Sequence, residues 1–143
     1  MGSKQRTVEG SSPCSAAPER VWDVWTAPER WPGDVIEVGS VDGDFAVGSK
    51  VTVKVKGGVK TRSTLTRVEA PKIWTSVTTF PGLRLTYEHT IDDLGNGTVL
   101  TERVIMTGPF AGLFDRMTRA QLQETFVAVT AEIARSAESD PQP

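Results

Sequence analysis

Residues 98–138 read TVLTERVIMTGPFAGLFDRMTRAQLQETFVAVTAEIARSAE, and the spacing of apolar residues changes once along this stretch. Up to Thr107 apolar and polar residues alternate, which predicts a β-strand, and after Gly108-Pro109 the apolar residues recur near helical spacing. Because no proline or glycine follows residue 112 within this part, it predicts one long amphipathic helix. The stripe expected to face the protein interior is Leu113, Met117, Leu122, Phe126, Val129 and Ile133.

The chain before this helix reads as a series of strands joined by short turns. A first strand is expected over residues 6–15, with a break at Pro13. Six further strands are expected near residues 34–40, 49–57, 59–69, 72–80, 83–92 and 98–107. The turns between them are short and rich in glycine, proline and aspartate, so consecutive strands are expected to pair antiparallel.

Two short helices are expected after the first strand. Pro18 suits the first turn of a helix, where its missing N–H has no partner to lose. Pro28 ends that helix and begins a second short one that reaches Trp31, and Pro32-Gly33 stops it. The predicted fold class is α+β: a curved antiparallel sheet of about seven strands wraps around the long C-terminal helix, which alone is long enough to cover the apolar face of the sheet.

Length and charge limit the possible classes of function. The 143 residues have room for one domain with one core, expected over 1–143 with the core at about 6–137 and frayed ends. A net charge of -2 gives no general attraction to nucleic acid. No apolar run approaches the ~20 residues that cross a bilayer. The N-terminus lacks the apolar centre of a secretory signal, so a cytoplasmic protein is expected.

Because the chain has one cysteine and one histidine, an internal disulfide and the usual type of zinc site are excluded. Cys14 cannot form an internal disulfide and is expected to be a small buried apolar residue. With one histidine, a zinc site of the usual Cys/His type is excluded, and neither metal nor cofactor is expected. A basic run alternates with valines as one solvated strand face and lacks aromatic residues for base stacking. Its members are Lys50, Lys54, Lys56, Lys60 and Arg62.

The stretch LRLTYEHTI at residues 83–91 contains the only tyrosine and the only histidine, Tyr87 and His89, both on its apolar side. It should form a hairpin with residues 98–107, because the turn sequence DDLGNG joins the two. The expected register sets Leu100 opposite His89, Glu102 opposite Tyr87 and Val104 opposite Leu85. This would cluster Tyr87, His89 and Glu102 on the inner face of the sheet.

Four segments, in this order, resemble one known family: APERVWDVW, APERWPGDVIEV, VGSKVTV and GNGTVLTERVIMTGPFAGLFDRM. The chain resembles the START/Bet v 1-like superfamily (SRPBCC), specifically its bacterial polyketide cyclase/dehydrase-like branch, over residues 6–137. The resemblance implies a single START-like domain with the helix-grip fold. It also implies a cavity between sheet and long helix that holds apolar or polyaromatic small molecules.

The candidate ligand-binding residues lie at the inward-facing positions of the strands, in the short helices after the first strand and on the inner stripe of the long helix. They are Trp25, Trp31, Trp74, Ser76, Thr78, Leu85, Tyr87, His89, Leu100, Glu102, Val104, Met117, Leu122 and Phe126. Because an unsatisfied buried polar group is costly, Tyr87, His89 and Glu102 should pair with each other, with water or with a ligand. They are also the candidate catalytic residues, since a cyclase needs a general base and a donor for an enolate.

Three functions stay open. The protein binds an apolar or aromatic, lipid- or polyketide-like molecule, or it is a polyketide cyclase/dehydratase-type enzyme that uses His89 and Tyr87 as proton-handling groups. The third is a co-chaperone-like interaction module. Expected partners are a small apolar or aromatic molecule and, at most, a second copy of the chain. No nucleic acid and no membrane span are expected.

Overall fold

The computed structural model describes residues 6–31 and 35–139. The predicted stop at Pro32-Gly33 and the predicted frayed ends lie outside these residues. The strands are β1 (Arg6–Cys14), β2 (Ile36–Val41), β3 (Lys50–Val55), β4 (Thr61–Glu69), β5 (Ile73–Phe80), β6 (Leu83–Asp93) and β7 (Thr98–Thr107). The helices are α1 (Pro18–Trp25), a 3-10 helix (Pro28–Arg30) and α2 (Ala111–Ser139). Element types and order match the prediction.

All strands belong to one antiparallel seven-stranded sheet, in the order β1-β7-β6-β5-β4-β3-β2. Strands β2 to β7 follow one another as a meander, because each is joined to the next by a short turn. β1 closes the order by pairing with β7 over its whole length. The sheet curls around α2, which is the predicted helix-grip architecture. No helix among the described residues is long and apolar enough to cross a membrane.

Helix α2 is packed along β1 at the sheet edge. Residues of β1 alternate between exposed and buried, and the buried set ends at Cys14. At Gly10 the two elements approach so closely that an added Cβ would lie 2.7 Å from the backbone nitrogen of Val127 and 2.9 Å from Cβ of Phe126. A residue with any side chain would push the helix away from the strand.

Polar contacts accompany this packing along the strand. The hydroxyl oxygens of Ser12 and Thr130 lie 2.8 Å apart. One strand end is joined to the helix by an ion pair from Arg6 to the buried Asp115, at 3.5 Å. At the other end, the backbone N–H of Ser15 donates to a carboxylate oxygen of Glu138 at 2.8 Å. Contacts therefore follow β1 and α2 from one end of the pair to the other.

Two details differ from the sequence-based prediction. Pro13 does not break β1: it pairs with Val99 and is tolerated because β1 is an edge strand, where a missing N–H breaks no ladder bond. Leu113 and Met117 do not face the sheet, since 57% and 73% of their surfaces are exposed. Near its start α2 is apolar on two adjacent stripes, and the stripe that begins at Phe114 is the inner one.

Replacing Gly10 with alanine is expected to lower the free energy of unfolding by about 1–3 kcal/mol, because the new methyl group meets the backbone nitrogen of Val127 and Cβ of Phe126 in α2. Gly112→Ala is the matched control, since the atoms nearest to its Cβ belong to the movable guanidinium of Arg6, the first at 3.2 Å. We expect the control to leave stability unchanged or to raise it by up to about 1 kcal/mol. Urea unfolding measures both, and a Gly10→Ala protein as stable as the wild type would contradict the close-packing argument.

Candidate functional site

A cavity of about 310 Å³ lies between the inner face of the sheet and α2. Strand β3 lines it with Val51, Val53 and Val55. Those valines alternate with the lysines of the basic run, so the two faces of β3 divide cleanly into an apolar inner side and a solvated outer side. The helix faces the cavity with an apolar and partly hydroxylated stripe, Phe114, Thr118, Leu122, Thr125, Phe126 and Val129.

Three rings form one wall of the cavity. The His89 imidazole stacks on the Trp74 indole, with ring centroids 3.4 Å apart and planes 4° apart. Trp25, at the end of α1, meets the His89 ring edge-on at 5.4 Å. Trp25 and Trp74 are nearly inaccessible to solvent, which fixes the position of the histidine ring. Trp31 is also held in place, because its indole N–H donates to the Val24 carbonyl oxygen at 3.1 Å.

The two ring nitrogens of His89 have different neighbours. Nδ1 lies 3.1 Å from the carbonyl oxygen of Trp74, and since a carbonyl only accepts, Nδ1 carries a hydrogen and donates it. Nε2 lies 3.5 Å from Oε2 of Glu102. An imidazole with its single hydrogen on Nδ1 has only a lone pair at Nε2, so Nε2 and a carboxylate repel each other. This repulsion is removed when the nitrogen and the carboxylate share one proton, or when a hydrogen-bond donor of another group lies next to both atoms.

The pairing of β6 with β7 differs from the expected register by two residues. His89 lies opposite Glu102, and Tyr87 lies opposite Val104. The predicted pairs His89 with Leu100 and Tyr87 with Glu102 are therefore wrong. A shift by an even number of residues keeps every side chain on the same face, so the predicted cluster of Tyr87, His89 and Glu102 does line the cavity.

Tyr87 is the third polar group of this cluster. Burial raises the pKa of Tyr87 to about 12, and the negative charge of Glu102 adds to the shift. The phenol therefore keeps its proton at neutral pH and remains a hydrogen-bond donor. Within residues 6–31 and 35–139, no group of three or more His, Cys, Asp or Glu side chains could hold a metal ion.

Most of the predicted ligand-binding residues border the cavity. Those that do are Trp25, Trp31, Trp74, Ser76, Leu85, Tyr87, His89, Glu102, Leu122 and Phe126. Four others lie elsewhere. Thr78 donates its hydroxyl to the Arg62 carbonyl oxygen at 3.0 Å, Leu100 and Val104 are fully buried in the two cores, and Met117 is on the outer side of α2.

Sequence reasoning missed the contribution of β3 and part of α2. The valines of β3 could have been predicted, because they alternate with the lysines in the sequence and therefore lie on the opposite face of the strand. The hydroxylated positions Thr118 and Thr125 and the neighbouring Gln121 carry no such signal. Polar residues on a helix read as solvent-facing unless the three-dimensional arrangement is known.

The fold is shared with solved structures of distant sequence. Norcoclaurine synthase from Thalictrum flavum, solved in complex with dopamine and hydroxybenzaldehyde, superposes with a TM-score of 0.73 at 12% identity, over 99% of this chain and 91% of that chain. DynU16, from the dynemicin biosynthetic locus, superposes with a TM-score of 0.70 at 20% identity, over 93% of this chain and 47% of that chain. Protein NE0264 from Nitrosomonas europaea superposes with a TM-score of 0.66 at 16% identity, over 91% of this chain and 94% of that chain.

These likenesses define the class: a Bet v 1-like helix-grip protein, as the sequence predicted. The chain belongs to the family described as polyketide cyclase/dehydrase and lipid transport, which matches residues 5–138. Membership supports ligand binding or a cyclase-type function. A comparison with curated protein sequences gives no match.

Because the chain has a single tyrosine, its titration can be followed directly. We expect the 295 nm absorbance of tyrosinate to appear around pH 12 in the folded protein and around pH 10 after denaturation. The folded state holds this proton more tightly than the unfolded state, so its contribution to stability is complete below about pH 10 and is lost as the pH rises towards 12. A folded-state midpoint near 10 would contradict the desolvation of the partly buried Tyr87 hydroxyl.

Proposed function

We propose that this protein binds an apolar or aromatic small molecule in the cavity between the sheet and α2. The observation that carries the proposal is the cavity itself, about 310 Å³ and lined mainly by valine, leucine, phenylalanine and tryptophan side chains. Transfer of apolar surface from water into such a site is favourable by ~25 cal/mol per Å². A flat ring system is favoured further, because the partly exposed rings of Trp31, Tyr87 and Phe114 border the cavity.

The family and one relative support this proposal. Lipid transport, named in the family description, requires a site for an apolar molecule. Norcoclaurine synthase, which shares the fold, was solved with two aromatic compounds, dopamine and hydroxybenzaldehyde. An aromatic ligand of similar size fits the aromatic residues Trp31, Tyr87 and Phe114 that border the cavity and are partly exposed.

A second candidate function, a cyclase-type enzyme, is favoured by the His89–Glu102 pair beside Tyr87. In this hypothesis the pair removes a proton from a carbon next to a carbonyl group, with His89 Nε2 or the Glu102 carboxylate as the base. The Tyr87 hydroxyl donates a hydrogen bond to the enolate oxygen that forms. The carbanion equivalent then attacks a second carbonyl carbon of the same substrate. The C–C bond that forms closes the ring, the C=O π bond opens, and the resulting alkoxide takes the proton back from the His89–Glu102 pair.

Ligand binding is tested with N-phenyl-1-naphthylamine, a neutral aromatic dye whose fluorescence rises in apolar surroundings. We expect saturable binding and a rise in melting temperature with dye concentration. Thr125→Phe puts a large ring into the cavity and should weaken binding about tenfold or more, since overpacking displaces the dye. The control Gln123→Phe, at an exposed position of the same helix, should bind as the wild type does. Equal binding by both variants would place the dye outside the cavity.

The enzyme hypothesis is tested by hydrogen–deuterium exchange of 1-tetralone in D2O, followed by NMR. A positioned base is expected to accelerate exchange of the protons beside the carbonyl by about 10²-fold or more. His89→Gln and Glu102→Gln should each remove most of this acceleration, and Glu88→Gln, on the outer face of β6, should keep it. No acceleration by the wild type, with dye binding intact, would leave binding as the function.

A further inference from the structure

Three ionisable residues, Tyr87, His89 and Glu102, border the cavity, and Glu102 is its carboxylate. No lysine or arginine lines it in the part of the chain that the structure describes. The side chain of Glu102 is 13% exposed and that of His89 is 6% exposed. A carboxylate in such surroundings acts over a short distance with little screening by water.

The arginine nearest to Glu102 in sequence is directed away from the cavity. Arg103 follows it on β7 and therefore projects to the outer face of the sheet. There its guanidinium is held by Glu9 at 2.9 Å and by Glu88 at 3.2 Å. Within the described residues, the ion-pair partner of Glu102 is His89.

His89 cannot turn to serve an incoming anion. Its ring is stacked on Trp74, and Nδ1 donates to the Trp74 carbonyl oxygen. Nε2 therefore stays directed towards the Glu102 carboxylate.

We propose that Glu102 determines the charge selectivity of the cavity: it admits a neutral aromatic ligand whose hydroxyl group donates to the carboxylate, and it rejects a ligand that carries a carboxylate of its own. The hydroxyl gains a charge-assisted hydrogen bond to an oxygen that Nε2 leaves free. A ligand carboxylate would meet Glu102 with no lysine or arginine to balance it.

This proposal rests on the proposed binding function, and two naphthalene compounds test it by displacing N-phenyl-1-naphthylamine at pH 7. They are 2-naphthol and 2-naphthoate, which share one ring system and differ in the polar group. We expect 2-naphthol to bind at least about tenfold more tightly than 2-naphthoate. This comparison uses the wild-type protein and needs no variant.

Glu102→Gln then identifies the residue responsible. Glutamine keeps the size and removes the charge, so the preference for 2-naphthol over 2-naphthoate should fall by about tenfold. The control Glu88→Gln makes the same chemical change on the outer face of the next strand, and its preference should equal that of the wild type. An equal effect of both substitutions would assign the selectivity to the overall charge of the protein and overturn the proposal.

The possible failures are distinguishable. If the dye itself does not bind, the proposed function fails, and with it the proposed charge selectivity of the cavity. If the dye binds but 2-naphthoate displaces it as readily as 2-naphthol, the binding function stands and the role of Glu102 is overturned. Retained binding of the dye by Glu102→Gln shows that this variant is folded.

Discussion

The attachment of α2 to the β1 edge of the sheet is the constraint on which the cavity depends. Gly10 lets the helix backbone approach the strand, and the Ser12–Thr130 contact and the Arg6–Asp115 ion pair lie on either side of it. Although the sheet curls around the helix, α2 is fixed along β1, and the inner faces of β3 to β6 do not close onto it. The space that remains is the cavity.

The cavity combines a large apolar surface with one polar cluster. Its apolar lining is able to bind many ring systems or chains, because apolar burial has no preferred direction. Orientation must come from the polar cluster, since hydrogen bonds are directional. His89 is the fixed member of that cluster, held by stacking on Trp74 and by the Trp74 carbonyl oxygen, and it in turn faces Glu102.

The sequence was sufficient for the fold because one change of apolar period, at Gly108-Pro109, separates the sheet from the helix that it wraps. The register between β6 and β7 was less well determined by the sequence. Registers that differ by two residues place the same side chains inside, so the face of Glu102 was predicted and its partner across the strand was not. Near the start of α2, the apolar residues Leu113 and Phe114 are neighbours in sequence, and only packing against the sheet decides which of them faces inwards. The stacking of His89 on Trp74 depends on side-chain rotamers, which periodicity does not contain.

The division between β1 and the middle strands has an evolutionary consequence. The close helix–strand approach at Gly10 belongs to β1, whereas the Val51, Val53 and Val55 surface belongs to β3. Substitutions on β3 can therefore reshape the interior without disturbing the backbone approach at Gly10. A scaffold of this kind can acquire new chemical preferences by small steps while its folding remains intact. The same backbone arrangement is accordingly recognisable in norcoclaurine synthase at 12% identity.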